Sequence, residues 1–217
     1  MSIAVVVKKG NQACIAADTQ SNWGSLIQSE RYSEDASKIQ TLHDSYVAVT
    51  GAGAHQLVLR HFFRNHIDKI DLSGTDAIFE TWLTLHEHLT DDYHLNADPE
   101  SNDPYEPSRL TALIANPSGI YIVASWRSVD SIKRFWAIGS GQEFALGAMY
   151  ALYDQTDDVE EIARVGVCAG IEFDDGCGGP IDLYSVDLQM PGHENGNGNG
   201  ASPHRHARPV SQVLPSR

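Results

Sequence analysis

Ser2-Ile3-Ala4-Val5-Val6-Val7-Lys8-Lys9-Gly10-Asn11-Gln12-Ala13-Cys14-Ile15-Ala16-Ala17-Asp18 is the stretch from which the fold is read. Two apolar runs flank a Gly-Asn pair, the pattern of a β-hairpin, and Gly10-Asn11 suits the Gly-first two-residue loop of a type II′ turn. With Lys9 opposite Gln12, Ile3 lies across from Asp18 and Ser2 from Thr19. The start of the chain and Asp18 therefore share one end of the hairpin. Ser2 follows an initiator Met and is small, so removal of Met1 leaves a hydroxyl and a free α-amine on one residue. Such an amine has a reference pKa of about 7.7 to 8.0. Near neutral pH such an amine can serve as a base for its own hydroxyl.

The strands of this hairpin are apolar at nearly every position and must be covered on both faces. Further along, polar, glycine-containing residues 19–35 read as a loop, and Ser37–Leu42 and Ser45–Thr50 as strands. A turn at Gly51-Ala52-Gly53-Ala54 leads into a helix over 54–67. A second helix is capped by Ser73 and carries Ile78, Trp82, Leu85 and Leu89 on one face. Residues 91–107 are acidic and proline-containing, a surface loop without the regular oxygen-ligand spacing of a calcium site. Residues 109–116 and 119–125 form another hairpin about Pro117-Ser118, and 135–138 a strand that runs into Gly139-Ser140-Gly141. Helices over 143–153 and 157–170 and a strand over 180–187 follow. The order is strands, two helices, strands, two helices, strand, with hairpin connections. That is an α+β chain whose two largely antiparallel sheets pack on each other, with a helix pair on each outer face: a four-layer αββα sandwich.

The 217 residues suffice for one large domain, expected over 1–190, and the Asn-Gly, Pro and Arg-rich 191–217 is expected to be a disordered tail. A hydrophobic share of 41% and a charged share of 20% are ordinary for a globular chain. The net charge of −14 argues against nucleic acid and anionic membranes as partners. Cys14, Cys168 and Cys177 lack CxxC spacing, which disfavours a disulfide framework or structural zinc. No apolar run approaches the roughly 18 residues of a membrane span, and no signal peptide is evident, so a soluble cytoplasmic protein without cofactor or metal is expected.

Five motifs then fall at strand ends in order: Ala16-Ala17-Asp18-Thr19-Gln20 with Gly24; Ser37-Lys38-Ile39; Thr50-Gly51-Ala52-Gly53-Ala54; Ile138-Gly139-Ser140-Gly141 followed by Ala145-Leu146-Gly147-Ala148; and Asp174-Asp175-Gly176-Cys177-Gly178-Gly179. In these the chain resembles the proteasome β-subunit family of N-terminal-nucleophile hydrolases, most of all its bacterial branch, the peptidase subunit of the HslUV protease. The resemblance runs from about Ser2 to Asp187. It implies the four-layer fold of that hydrolase type and matches Ser2 to a nucleophile that is normally Thr. Asp18 and Lys38 match the acid and base that flank it, Ser140 the hydroxyl beside the terminal amine, and Asp174 an acid near the same place. Gly51, Ala52 and Gly53 match the backbone that donates to the oxyanion, with the Ala52 amide foremost. Gly139, Gly141 and Cys177 support the site, Cys177 standing where the family commonly has Ser.

Serine lacks the γ-methyl that fixes a threonine rotamer, and 24–38 is a few residues longer than the family's usual spacing. A small polar specificity pocket lined by Thr50 and Ser21 is expected. The resemblance further implies peptide-bond hydrolysis of polypeptide substrates in a homo-oligomeric ring, with an ATPase unfoldase as a candidate partner. Two other readings share these residues: an amidase or acyltransferase acting on small molecules, and a silent ring-forming subunit that keeps Met1.

Overall fold

The computed structural model describes residues 2–51, 53–92, 110–124 and 127–189. Strand β1 (Ile3–Lys9) and β2 (Gln12–Asp18) form the opening hairpin, with Gly10 at φ +59 as a primed turn requires. Their register runs from Lys9 opposite Gln12 to Ala4 opposite Ala17, the pairing expected from the turn. Residues 19–35 depart from the expected loop. They contain β3 (Ser21–Trp23) and β4 (Leu26–Gln28), a hairpin about Gly24 at φ +63, and a 3₁₀ turn over Glu30–Tyr32. Each strand is only three residues long and largely exposed, too short for periodicity to mark.

β5 (Ile39–Leu42), β6 (Ser45–Thr50), α1 (Gly53–His66) and α2 (Thr75–Asp91) come next. The residue capping α2 is Gly74 rather than the expected Ser73. Ser73 turns back instead, its N–H and Oγ both donating to Asp71 Oδ1 at 2.8 and 2.6 Å. Then follow β7 (Thr111–Asn116), β8 (Gly119–Val123), an unanticipated β9 (Val129–Ser131), β10 (Phe135–Gly139), α3 (Gln142–Tyr153), α4 (Val159–Phe173) and β11 (Ile181–Asp187). Helix α4 runs through Gly170, the expected end, because that glycine packs against Ile3 and a Cβ there would stand 3.1 Å from the Ile3 side chain. Most of the acidic 91–107 segment and the whole 191–217 tail lie outside the described residues.

The strands form two sheets, ordered β10-β1-β2-β11 and β5-β6-β7-β8-β9, beside the small β3-β4 ribbon. Every strand neighbour in the two large sheets is antiparallel. Three apolar layers follow from the two-residue period of the strands. Ile3, Val5 and Val7 face α3 and α4, meeting Met149, Ile162 and Val167. Ala4 and Val6 face the opposite way, onto Ala48, Leu113 and Ala115 of the second sheet. The far side of that sheet, through Val47, Val49 and Ile114, takes up Phe62, Phe63, Trp82 and Leu85 of α1 and α2. Full burial of each of the larger of these side chains is worth about 1.5–3 kcal/mol, which is why the opening strands can be apolar on both faces. The result is the four-layer αββα sandwich that the element order implies. Among the described residues, no helix is long and apolar enough to cross a membrane.

Candidate active site

Antiparallel pairing of β1 with β2 and β10 brings three chain segments to one end of the first sheet. Ser2 precedes β1, Asp18 ends β2, and Gly139-Ser140-Gly141 leaves β10. The Ser2 nitrogen donates to Ser140 Oγ at 3.2 Å, while the Ser2 carbonyl oxygen accepts from Ser140 Oγ and from the Gly141 N–H, each at 3.4 Å. One residue on, the Ile3 N–H donates to Asp18 Oδ1 at 2.9 Å. Gly139 allows this approach. Its φ is +103, and a Cβ there would collide with the Ser2 carbonyl.

Lys38 comes from the other sheet, immediately before β5. Its Nζ donates to Asp18 Oδ1 at 2.5 Å, and both side chains are buried. Asp18 Oδ2 accepts from the N–H groups of Gly178 at 3.0 Å and Gln20 at 3.3 Å. Burial pushes the Asp18 carboxyl above its ordinary range, and the Lys38 ammonium and the N–H groups of Ile3 and Gly178 pull against that shift. Each lone-pair direction of the carboxylate thus has a donor, the condition under which a buried ion pair is tolerable.

Asp174, expected near the same place, follows α4 and shapes a turn. Its Oδ1 accepts from the Gly176 N–H at 2.7 Å and its carbonyl from the Cys177 N–H at 3.1 Å. That turn delivers Gly178 to Asp18 and Cys177 to Ser140. Cys177 Sγ lies 3.9 Å from Ser140 Oγ, and burial, followed by the charges of Asp18 and Asp174, pushes its thiol up to about 12. It stays protonated at physiological pH and acts as a neutral neighbour of Ser140.

Ser2, Lys38, Gly51 and Gly53 all border one open cleft of about 1150 Å³. Gly51 has φ +137, and Gly53 begins α1, whose first-turn N–H groups lack intrahelical acceptors. Ala52 lies outside the described residues. The cleft is neither small nor chiefly polar. Ser21 borders it, but Thr50 does not, since that residue ends β6 with its side chain buried. In its place stand Trp23 and Gln28 of the β3–β4 ribbon, tied by a 2.7 Å bond from Trp23 Nε1, and an entire face of α1. Gln20 and Gly178 stand within the quoted motifs, but sequence reading gave them no role in the site. The one available signal was the glycine itself, because a Cβ at Gly178 would run into the Gln20 side chain.

The four-layer αββα sandwich is that of the N-terminal-nucleophile hydrolase type, as the comparisons with known proteins bear out. A profile of the proteasome subunit family matches residues 2–169, and the chain belongs to that family of peptidase subunits. Among solved structures it is similar to Thiobacillus denitrificans BPH in complex with epoxomicin, with 39% identity and a TM-score of 0.80 over 87% of this chain and 100% of that one. Uncomplexed Thiobacillus denitrificans BPH gives the same identity and TM-score over 86% and 98%. Eukaryotic HslV from Trypanosoma brucei, at 21% identity and a TM-score of 0.65 over 85% and 99%, shares the fold. No curated protein matches.

Proposed function

We propose that this chain is a proteasome-type peptidase subunit in which Ser2, freed by removal of Met1 in the cytoplasm, is the nucleophile and its α-amine the general base. The observation that carries this reading is the clamp on Ser2. Ser140 holds its nitrogen, Gly141 its carbonyl, Asp18 the next N–H, and a buried Lys38 neutralises Asp18. The amine takes the Oγ proton as Oγ attacks the scissile carbonyl. The Lys38 cation favours both the developing alkoxide and the neutral amine. Backbone N–H groups of Gly51, Ala52 and Gly53 stabilise the oxyanion. Collapse expels the leaving amine, which takes the proton from the α-ammonium, and leaves an ester on Ser2. A water activated by the same amine hydrolyses it. Asp174 and Cys177 hold the turn that keeps Gly178 on Asp18.

An open cleft of this size supports a polypeptide substrate over a compact small molecule. Family membership supports a homo-oligomeric ring, which native mass measures directly. An ATPase unfoldase partner predicts degradation of a folded substrate only when ATP is supplied with it. The decisive experiment pairs mass spectrometry of the mature N-terminus with epoxomicin labelling of wild type and Ser2→Ala. The expected result is loss of Met1, a covalent adduct on Ser2 and no adduct on the variant. Retained Met1, or an adduct that survives Ser2→Ala, refutes the nucleophile. Turnover of small amides with no cleavage of any peptide transfers the site to the amidase reading.

A further inference from the structure

Gly53, Leu57, Arg60, Arg64 and Ile67 all border the cleft and recur every three to four residues from the start of α1 to just past its end. The cleft therefore runs along the helix. At 1.5 Å per residue the 14 residues of α1 give it a length of about 21 Å, room for some six residues of extended peptide at about 3.3 Å each. Its near end holds Ser2 and the helix N-terminus, and its far end holds Arg60 and Arg64.

Charges along this path are not evenly used. Lys38 is buried against Asp18. Arg60 is held by Asp35 through Nη1–Oδ1 at 2.9 Å. Arg64, one helical turn on and exposed, has no carboxylate partner among the described residues. It stands where the cleft continues into a shallower groove over α1 that holds Arg60, Arg64 and His61 against a single carboxylate, Asp35. Glu34 borders the cleft but not the groove. In a chain of net charge −14, the groove in which the cleft ends sets two guanidinium groups against one carboxylate.

We infer that Arg64, with Arg60 positioned beside it by Asp35, is a specificity residue that selects an acidic side chain of the polypeptide substrate. This rests on the peptidase reading above. Arg64 lies 11 residues after Gly53, about 16 Å along the helix, so the acidic residue is bound about four to five positions from the scissile bond. Leu57 on the same helix face and Ile67 just past the helix end offer apolar contact to the residues on either side of it. A guanidinium fork matches a carboxylate, and an amide or ammonium in its place loses the charge.

The test uses the full-length mature protein and a set of blocked decapeptides with one invariant centre, in which Glu, Gln or Lys stands at each outer position in turn. Cleavage by wild type, Arg64→Ala and Arg64→Glu is followed by mass spectrometry, and binding to the Ser2→Ala protein by calorimetry. Wild type is expected to favour Glu over Lys by about tenfold in kcat/KM at one position four to five residues from the cut, expressed in KM, with a smaller ratio at high salt. Arg64→Ala should lower that ratio to about twofold, and Arg64→Glu should invert it. Equal handling of Glu and Lys by wild type, or a preference untouched by both variants, overturns the inference while leaving the peptidase standing. Preferential binding of Glu peptides without cleavage of any upholds the subsite and overturns the peptidase. Absence of both binding and cleavage overturns the two together.

Discussion

At the scale of single residues the site turns on one buried carboxylate. Asp18 receives Lys38 and the N–H groups of Ile3, Gln20 and Gly178, and the first pair crosses from one sheet to the other. Removing Lys38 leaves an uncompensated buried charge. Lys38→Met is expected to cost about 3–5 kcal/mol near neutral pH. The sign with pH follows from burial. The Asp18 carboxyl is already raised, and loss of the ammonium raises it further above its unfolded value. Its contribution is then fully present below the unfolded pKa and lost as pH rises through the folded one. The deficit against wild type should be smaller at pH 5 than at pH 8 in urea denaturation, and an equal deficit at both would contradict the burial argument. The proximity of Asp18, Lys38 and Ser140 to Ser2 was legible in sequence because Asp18 follows from the hairpin register and Lys38 and Ser140 each sit at a strand end within a recognisable tripeptide. The contacts of Gln20 and Gly178 with Asp18 were not. Both act on Asp18 largely through backbone N–H groups, which every residue but proline possesses.

At the scale of elements, what could be read tracked length and burial. The β1–β2 hairpin has seven apolar-rich positions a side and a Gly-Asn turn, and its register follows from the turn alone. β3, β4 and β9 have three residues each, and neither their composition nor their period sets them apart from loop. The β3–β4 ribbon matters because Trp23 and Gln28 wall the cleft. Caps were missed where a competing acceptor lay nearby, as Asp71 does for Ser73. Helix α4 shows the opposite case, with Asp158 Oδ1 accepting from the N–H groups of Glu160 at 2.9 Å and Glu161 at 3.1 Å. Asp158→Ala should cost about 1 kcal/mol and lower Tm by about 2–4 °C in a chain of this size. α4 packs on β1 on the far side of the sheet from the cleft, so kcat/KM at 25 °C should hold. A fall in kcat/KM at unchanged Tm would show that the cap acts on the site.

At the scale of the molecule, the four layers were legible because strands apolar on both faces demand two covers, but the placing of the site across the layers was not. Ser2 and Asp18 belong to the first sheet, while Lys38 and the α1 N-terminus belong to the second. What holds the halves in register is the inter-sheet core of Ala4, Val6, Ile15, Ala48 and Leu113, made largely of small side chains that let the sheets approach closely. A cavity there should loosen the site, whereas one between α1, α2 and the outer face should not. Leu113→Ala and Leu85→Ala remove the same atoms from positions that are 0% and 1% exposed, and each should cost about 2–5 kcal/mol. Both variants are compared at a temperature at which each is more than about 95% folded. Leu113→Ala should lower kcat by about tenfold or more, because a shift near 1 Å between the sheets displaces Lys38 from Asp18 and the α1 N-terminus from Ser2. Leu85→Ala should lose stability and keep most of its kcat. If the two lose kcat alike, the inter-sheet layer has no special hold on the catalytic geometry, and stability alone accounts for both.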